Sequence, residues 1–201
     1  MSDLTQEVRR TARTDRGRAA AVLADAFADD PVLSFLLPPT IRARRRRLQA
    51  LFALEEPRSR RCGGAWTATD GSAAALWYPP GRWREPLWST AFHGPASTAV
   101  FGRRTALATR VLATMVDHHP REPHWYLLYL GTAAAAQGTG RGSTLLRAVL
   151  DQCDTQGLPA YLEATNERNR ALYRRHGFRD RDRLPLPAGG PPLYPMWRDA
   201  R

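Results

Sequence analysis

Between Leu130 and Leu146 the chain reads LGTAAAAQGTGRGSTLL, with Gly138, Gly140 and Gly142 at alternate positions. Glycine has no Cβ, so such a run lets another molecule come close to the main chain. An aromatic and branched run, HWYLLYLGT (124–132), precedes it, and a leucine-rich stretch follows. The order is therefore strand, tight turn, helix. The first amides of a helix have no partner inside it and point at any anion placed there, with the helix dipole adding to the attraction. QGTGRG (137–142) can thus cradle a diphosphate. Spacing argues against two familiar phosphate loops. One needs a Gly-Lys-Ser/Thr ending, and the chain contains no lysine; the other is GxGxxG, whereas the spacing here is GxGxG. No HExxH or comparable ligand set occurs, so no catalytic metal is expected. The two cysteines, Cys62 and Cys153, form no CxxC pair and read as small apolar residues.

QGTGRG also fits the pattern Q/R-x-x-G-x-G/A, and NERNRALYRRHGF (166–178) fits N-x-x-[AN]-x-x-L-Y-x-x-x-GF. In this order, with a strand between them, the two resemble the signatures of the GNAT superfamily of N-acetyltransferases. The resemblance covers roughly Trp125 to Phe178. EPHWYL, GLPAYLEAT and RNRALYRRHGF are similar to the puromycin N-acetyltransferase-like branch in particular. Two departures stand out. Ala133-Ala134 replaces the branch's aspartate-proline, which should loosen that turn. Thr139 stands where the branch often has lysine, and Arg141 is placed to compensate.

The resemblance implies a mixed α/β GNAT fold: a central, mostly antiparallel sheet with a splayed strand pair, flanked by helices. It implies acetyl-CoA as the cofactor. Its diphosphate would lie on Gln137, Gly138, Thr139, Gly140, Arg141, Gly142 and Ser143. Its pantetheine arm would pair with a bulged central strand at Leu130, Gly131 and Thr132. The amide near Leu130 would hold the developing oxyanion. Asn169 or Asn166 would bond the pantetheine, although a plain helix cap explains Asn166 equally well. Tyr173 matches the general acid that protonates the leaving thiolate; packing of its helix on the sheet is the alternative.

An attacking amine must be uncharged, so some group must take its proton. Glu163 is the first candidate, because YLEAT (161–165) is otherwise apolar; a salt bridge to an arginine is the competing explanation. His124 and Glu122 come next. His118 and His119 precede a proline and read as exposed loop residues. The acceptor pocket is expected from the N-terminal half, where Asp30, Phe35, Trp77 and Tyr78 would form an aromatic wall with one carboxylate. Such a wall suits a cationic, partly apolar amine; ordinary core packing accounts for the aromatics as well.

These residues need elements to hold them. Glu7–Ala12 alternates as a short strand, and Asp15 sits where a helix cap would. A helix follows with Ala19, Val22, Leu23, Ala26 and Phe27 on one face, ended by Asp30-Pro31. VLSFLLPP (32–39) is a short helix or a pocket wall. Arg42 to Glu56 reads as a helix with one solvated arginine face. Ala65–Ala68 and Ala73–Tyr78 form a hairpin about Asp70-Gly71. Pro86 to Val116 is mostly helical, broken near Gly94-Pro95. Leu145, Leu146, Val149, Leu150 and Cys153 line a helix closed by Gly157. Strands follow at PAYLEAT, from Phe178, and at PPLYPMWR (191–198).

The chain of 201 residues reads as one domain spanning 1–201. The N-terminus lacks a secretory h-region, and no window approaches a membrane span, so a cytoplasmic protein without a membrane partner is expected. The net charge is +11, and all 30 basic residues are arginine. Arginine is abundant throughout rather than gathered into one stripe, so nucleic acid is not the expected partner. An anionic cofactor is served equally well. The leading reading is direct acetyl transfer to a primary amine of a small molecule, an antibiotic or other natural-product amine, in a ternary complex. A degenerate acyl-CoA-binding or protein-interaction module is the alternative, and a homodimer is left open.

Overall fold

HWYLLYLGT forms the middle of a twisted sheet in the computed structural model, which describes residues 8–83 and 95–201. The described strands are β1 (Val8–Arg10), β2 (Ala65–Ala68), β3 (Ala73–Tyr78), β4 (Trp125–Thr132), β5 (Ala160–Ala164), β6 (Arg179–Asp180), β7 (Leu184–Leu186) and β8 (Gly190–Arg198). They lie in the order β1-β2-β3-β4-β5-β8-β6, with β7 added to β8. Every pairing is antiparallel except β4 with β5, which is parallel.

Helices α1 (Arg16–Ala26), α2 (Pro31–Leu36), α3 (Arg44–Arg61), α4 (Pro95–Phe101) and α5 (Thr105–His118) contribute to one core; α6 (Arg141–Gln156) and α7 (Glu167–Arg175) contribute to another. β3 explains the two layers. It is buried throughout, and its side chains alternate: Ala74 and Leu76 join the α1–α3 core, while Ala73, Ala75 and Trp77 join the α6 core. Leu145, Leu146, Val149, Leu150 and Cys153 are all buried, as their spacing requires, and Gly157 closes α6 in the left-handed region.

Several expectations need correction. The Asp15 side chain does not cap α1. It accepts from the Ala12 amide (2.7 Å) and pairs with Arg9, closing the turn before the helix. Helix α3 starts at Arg44 and runs through Pro57 to Arg61. A proline inside a helix leaves the carbonyl four residues earlier without its donor. Here that carbonyl, on Ala53, accepts from the Arg16 guanidinium at 3.0 Å, so α1 repairs α3. The arginine run is not simply solvated either. Arg44 donates to the carbonyls of Leu37 and Ala28, and Arg47 to that of Val100. The helical stretch beginning at Pro95 has a further interruption, a 3-10 turn over Gly102–Arg104. Glu7 and residues 86–94 lie outside the described residues.

Candidate active site

Two irregularities in β4 open the sheet. Against β3 the register slips: Leu76 faces Tyr129, but Trp77 faces Leu127, leaving Leu128 as an extra residue. A bulge of this kind bends a strand and frees main-chain groups that a regular ladder would use. Against β5 the pairing covers Trp125, Tyr126 and Leu127 and stops there. Glu163 and Ala164 continue the pairing of β5 with β8, but not with β4. The two parallel strands therefore splay beyond Leu127.

A largely apolar cavity opens at the split. Leu127 to Leu130 of β4 and Leu162 to Thr165 form its floor, with Asn169 and Tyr173 of α7 at one side. Asp30, Leu33 and Leu36 of the α2 region, Glu55 of α3 and Met115 of α5 close it from above. Of the residues singled out in the sequence, Asp30, Leu130, Glu163, Asn169 and Tyr173 meet here.

Asp30 caps α2 by accepting from the Leu33 amide (2.9 Å) and also accepts from the Thr165 hydroxyl (2.5 Å). Burial outweighs these bonds and raises its pKa above the ordinary carboxylate range. Tyr173 is buried, and burial, with the Asp30 charge, raises its phenol pKa. Asn166 caps α7 by accepting from the Asn169 amide at 2.9 Å. Glu163 has a side chain only 3% exposed. It faces His119 at 3.8 Å, with the phenols of Tyr126 and Tyr161 beside it, rather than an arginine.

The glycine turn adjoins this cavity. Gly138 (φ +82°) and Gly140 (φ +88°) occupy the left-handed region, and a Cβ at either would meet nothing within 4 Å. The space in front of the first α6 amides is therefore clear. Thr144 makes the first helical bond, to the Gly140 carbonyl, so the amides of residues 141–143 point outward. Gly142 lies against Leu130, Thr132 and Leu172, which joins the helix start to the split strand. Gln137 donates to the Thr132 carbonyl (3.3 Å), and the Ser143 hydroxyl pairs with His176 (3.0 Å). Arg141 forms an ion pair with Asp70 at 2.9 Å, tying the helix start to the β2–β3 turn. Ala133-Ala134 does not loosen its turn. The Ala133 amide donates to Ser72, and a 3-10 turn over Ala134–Ala136 follows, closed by the Ala136 amide on Ala133.

Four predicted site residues lie elsewhere. Trp77 is fully buried beneath α6, because β3 alternation turns it to that face. Tyr78 is also fully buried and stands behind the cavity, with its hydroxyl 3.3 Å from Glu55. Phe35 packs its ring edge on Gly190. His124 is buried behind Glu163, bonded to His119, and does not line the cavity. His119 itself is a correction: it is buried, its side chain 1% exposed, whereas His118 is exposed.

Sequence reasoning missed Glu55 and His119. Glu55 had a signal, since Leu51, Phe52 and Glu55 share one helical face of α3. His119 had a weaker one, a second histidine five residues before His124 across a proline turn.

The model of the acetyltransferase (GNAT) family matches residues 64–178, more than half of the chain. An uncharacterized N-acetyltransferase of Schizosaccharomyces pombe is 29% identical over 199 residues, covering 89% of this chain and 80% of the relative. A crystal structure described as histone acetyltransferase HPA2 and related acetyltransferase, from Corynebacterium glutamicum, is 30% identical with TM-score 0.73, covering 97% of this chain and 96% of that one. Polyamine N-acetyltransferase of Drosophila melanogaster, which forms N-acetylagmatine, shares the fold at 18% identity and TM-score 0.59, covering 94% and 96%. With its split parallel pair and a glycine turn leading into α6, this chain belongs to the GNAT family of acetyltransferases.

Proposed function

We propose that the protein transfers acetyl from acetyl-CoA to the primary amine of a small, partly apolar molecule, by direct attack in a ternary complex. The juxtaposition of Glu163 and Tyr173 in one apolar cavity, beside a clear helix start, is the observation that carries this reading. The outward amides of residues 141–143 and the exposed Thr139 would hold the diphosphate. Main-chain groups of Leu130, Gly131 and Thr132 would pair with the pantetheine arm as an added strand does. The bound thioester supplies an activated acetyl group.

The remaining work falls to side chains. An amine entering as an ammonium meets three carboxyl groups, Asp30, Glu55 and Glu163, set among apolar walls. Glu163 accepts the amine's proton, because its carboxylate is the one at the strand split. The amide near Leu130 donates to the oxygen on which charge develops. Tyr173 stays protonated at neutral pH, since its phenol pKa is raised, and it can give its proton to the departing sulfur. Cys153 is buried on the core face of α6, with its thiol pushed up to about 12, so it suits no covalent route. The similarity to puromycin N-acetyltransferase-like sequences, and the agmatine and polyamine activities of structural neighbours, agree with a small amine acceptor. The acceptor would be an antibiotic or another natural-product amine, with its ammonium toward the carboxyl groups and its body on the apolar walls.

Release of free thiol from acetyl-CoA across a panel of primary amines, with mass spectrometry of the product, tests the proposal. Amines with an apolar body should turn over, and amino acids with a free carboxylate should not. Binding of acetyl-CoA without turnover of any amine would favour a non-catalytic acyl-CoA-binding module instead.

A further inference from the structure

Behind Glu163 stands a group of buried polar atoms that the mechanism above leaves unexplained. The Nδ1 of His124 lies 2.6 Å from the Glu122 carbonyl oxygen. A carbonyl only accepts, so this nitrogen carries the hydrogen. Burial pushes the His124 pKa down to about 4, so the ring is neutral and its Nε2 is bare. That Nε2 lies 3.0 Å from Nε2 of His119, which must therefore donate. Nε2 of His119 therefore carries a hydrogen, and its Nδ1 makes no bond of its own. This Nδ1 faces Oε1 of Glu163 at 3.8 Å, and among the described residues both atoms are buried with no hydrogen-bond partner. A ring nitrogen and a carboxylate oxygen facing each other in a dry interior leave a place for one proton between them.

We infer that His119, through Glu163, draws the amine's proton out of the cavity and passes it by way of His124 to the surface at Glu122. The inference rests on the acetyl-transfer reading. The proton leaves the ammonium for the Glu163 carboxylate and is shared with Nδ1 of His119. Nε2 of His119 then releases its own hydrogen to Nε2 of His124. His124 releases its Nδ1 hydrogen to solvent beside the Glu122 carbonyl, in the exposed stretch Arg121–Pro123. One proton enters and one leaves, and no heavy-atom bond changes. After product leaves, the same transfers run in reverse, from solvent beside Glu122 through Glu163 to water in the emptied cavity, and restore the starting tautomers.

The surroundings hold the rings in place. Trp83 stacks on His119 with centroids 3.6 Å apart, and Tyr126 and Tyr161 meet it edge-on at 4.7 and 4.9 Å. Among the described residues, the titratable and charged groups facing the relay are Glu122 before β4, Tyr126 and Tyr129 from β4, Tyr161 from β5, and Arg181 after β6. Burial raises the pKa of each of these three phenols, so at neutral pH they hold their protons. His119 does not line the cavity, so it acts as a positioning and relay residue and Glu163 is the group that meets substrate.

Two measurements test the relay. The first is the pH dependence of kcat/KM for the wild type and His119→Gln, whose amide keeps donor and acceptor but takes no proton. At pH 7 we expect a loss of about tenfold or more, an unchanged KM for acetyl-CoA, and a deficit that shrinks toward pH 10 as the free amine arrives already deprotonated. A loss equal at every pH, or no loss in folded protein, overturns the relay while leaving acetyl transfer intact. The second is nitrogen NMR of the histidine rings in the wild-type protein, which needs neither the variant nor an amine. Hydrogen on Nδ1 of His124 and Nε2 of His119 supports the relay; either opposite tautomer overturns it. Absence of turnover with every amine would defeat the acetyl-transfer reading and the relay's catalytic role, whichever tautomers are found.

Discussion

In the proposed reaction, Tyr173 and Glu163 would divide the proton traffic through their environments. Tyr173 is buried against Phe178 on the α6 side of the sheet, where nothing favours a phenolate. Glu163 instead stands at the strand split, beside the phenols of Tyr126 and Tyr161 and 3.8 Å from the ring of His119. Tyr173→Phe should therefore keep the fold and the KM for acetyl-CoA while lowering kcat by about 100-fold. Steady-state kinetics beside an unchanged melting curve checks this. At this scale the sequence was partly legible. Asn166, Tyr173 and the glycines stand at fixed offsets within local motifs, and local geometry places them. For Trp77 and Tyr78 the core-packing reading holds and the pocket-wall reading does not, because both faces of β3 are covered and alternation along it gives neither side chain to the cavity. His119 was misread because a proline turn folds it inward, and nothing local to it reports that.

At the scale of elements, β4 is fitted closely to α1. A Cβ at Gly131 would lie 2.8 Å from Cβ of Ala26 and 3.0 Å from Leu23. Gly131→Ala must push α1 away from the sheet, at a cost of about 1–3 kcal/mol. Equilibrium denaturation should show a lower midpoint with unchanged slope. Hairpin β2–β3 and helices α6 and α7 were legible within a residue or two because turn and cap signals bound them. The continuation of α3 through Pro57 was not, because its remedy comes from Arg16 on another helix. The bulge at Leu128 was implied by family resemblance alone. HWYLLYLGT is apolar on both faces, so no break in alternation marks it.

Across the whole molecule, many arginines act as internal donors. Arg44, Arg47 and Arg104 bond main-chain carbonyls, Arg198 pairs with Asp154, and Arg170 and Arg174 share Glu167 and Asp180. Their dispersal explains why a net charge of +11 need not mark a nucleic-acid surface. No helix among the described residues is long and apolar enough to cross a membrane. The stability of the molecule should depend on pH through its buried histidines. His124 is neutral in the fold, with a pKa pushed down from 6.5 to about 4, and takes a proton readily only when unfolded. His176, lowered by burial and nearby arginines, acts in the same direction. Their contribution is complete above pH about 6.5 and is lost as pH falls toward 4, amounting to about 3 kcal/mol for His124. Urea midpoints measured between pH 7 and pH 4 should fall through this window, and His124→Asn should flatten the fall.

The account turns on main-chain amides at the start of α6 that grip a CoA thioester lying along the open edge of β4. Calorimetric titration of acetyl-CoA into the wild type and into Gly140→Val tests this most directly. Gly140 has φ +88°, which a β-branched residue adopts only under strain. The wild type should bind 1:1, and the affinity should be weakened about tenfold or more in a variant that still melts cooperatively. No heat with well-folded wild type, or equal affinity in the two proteins, would contradict it.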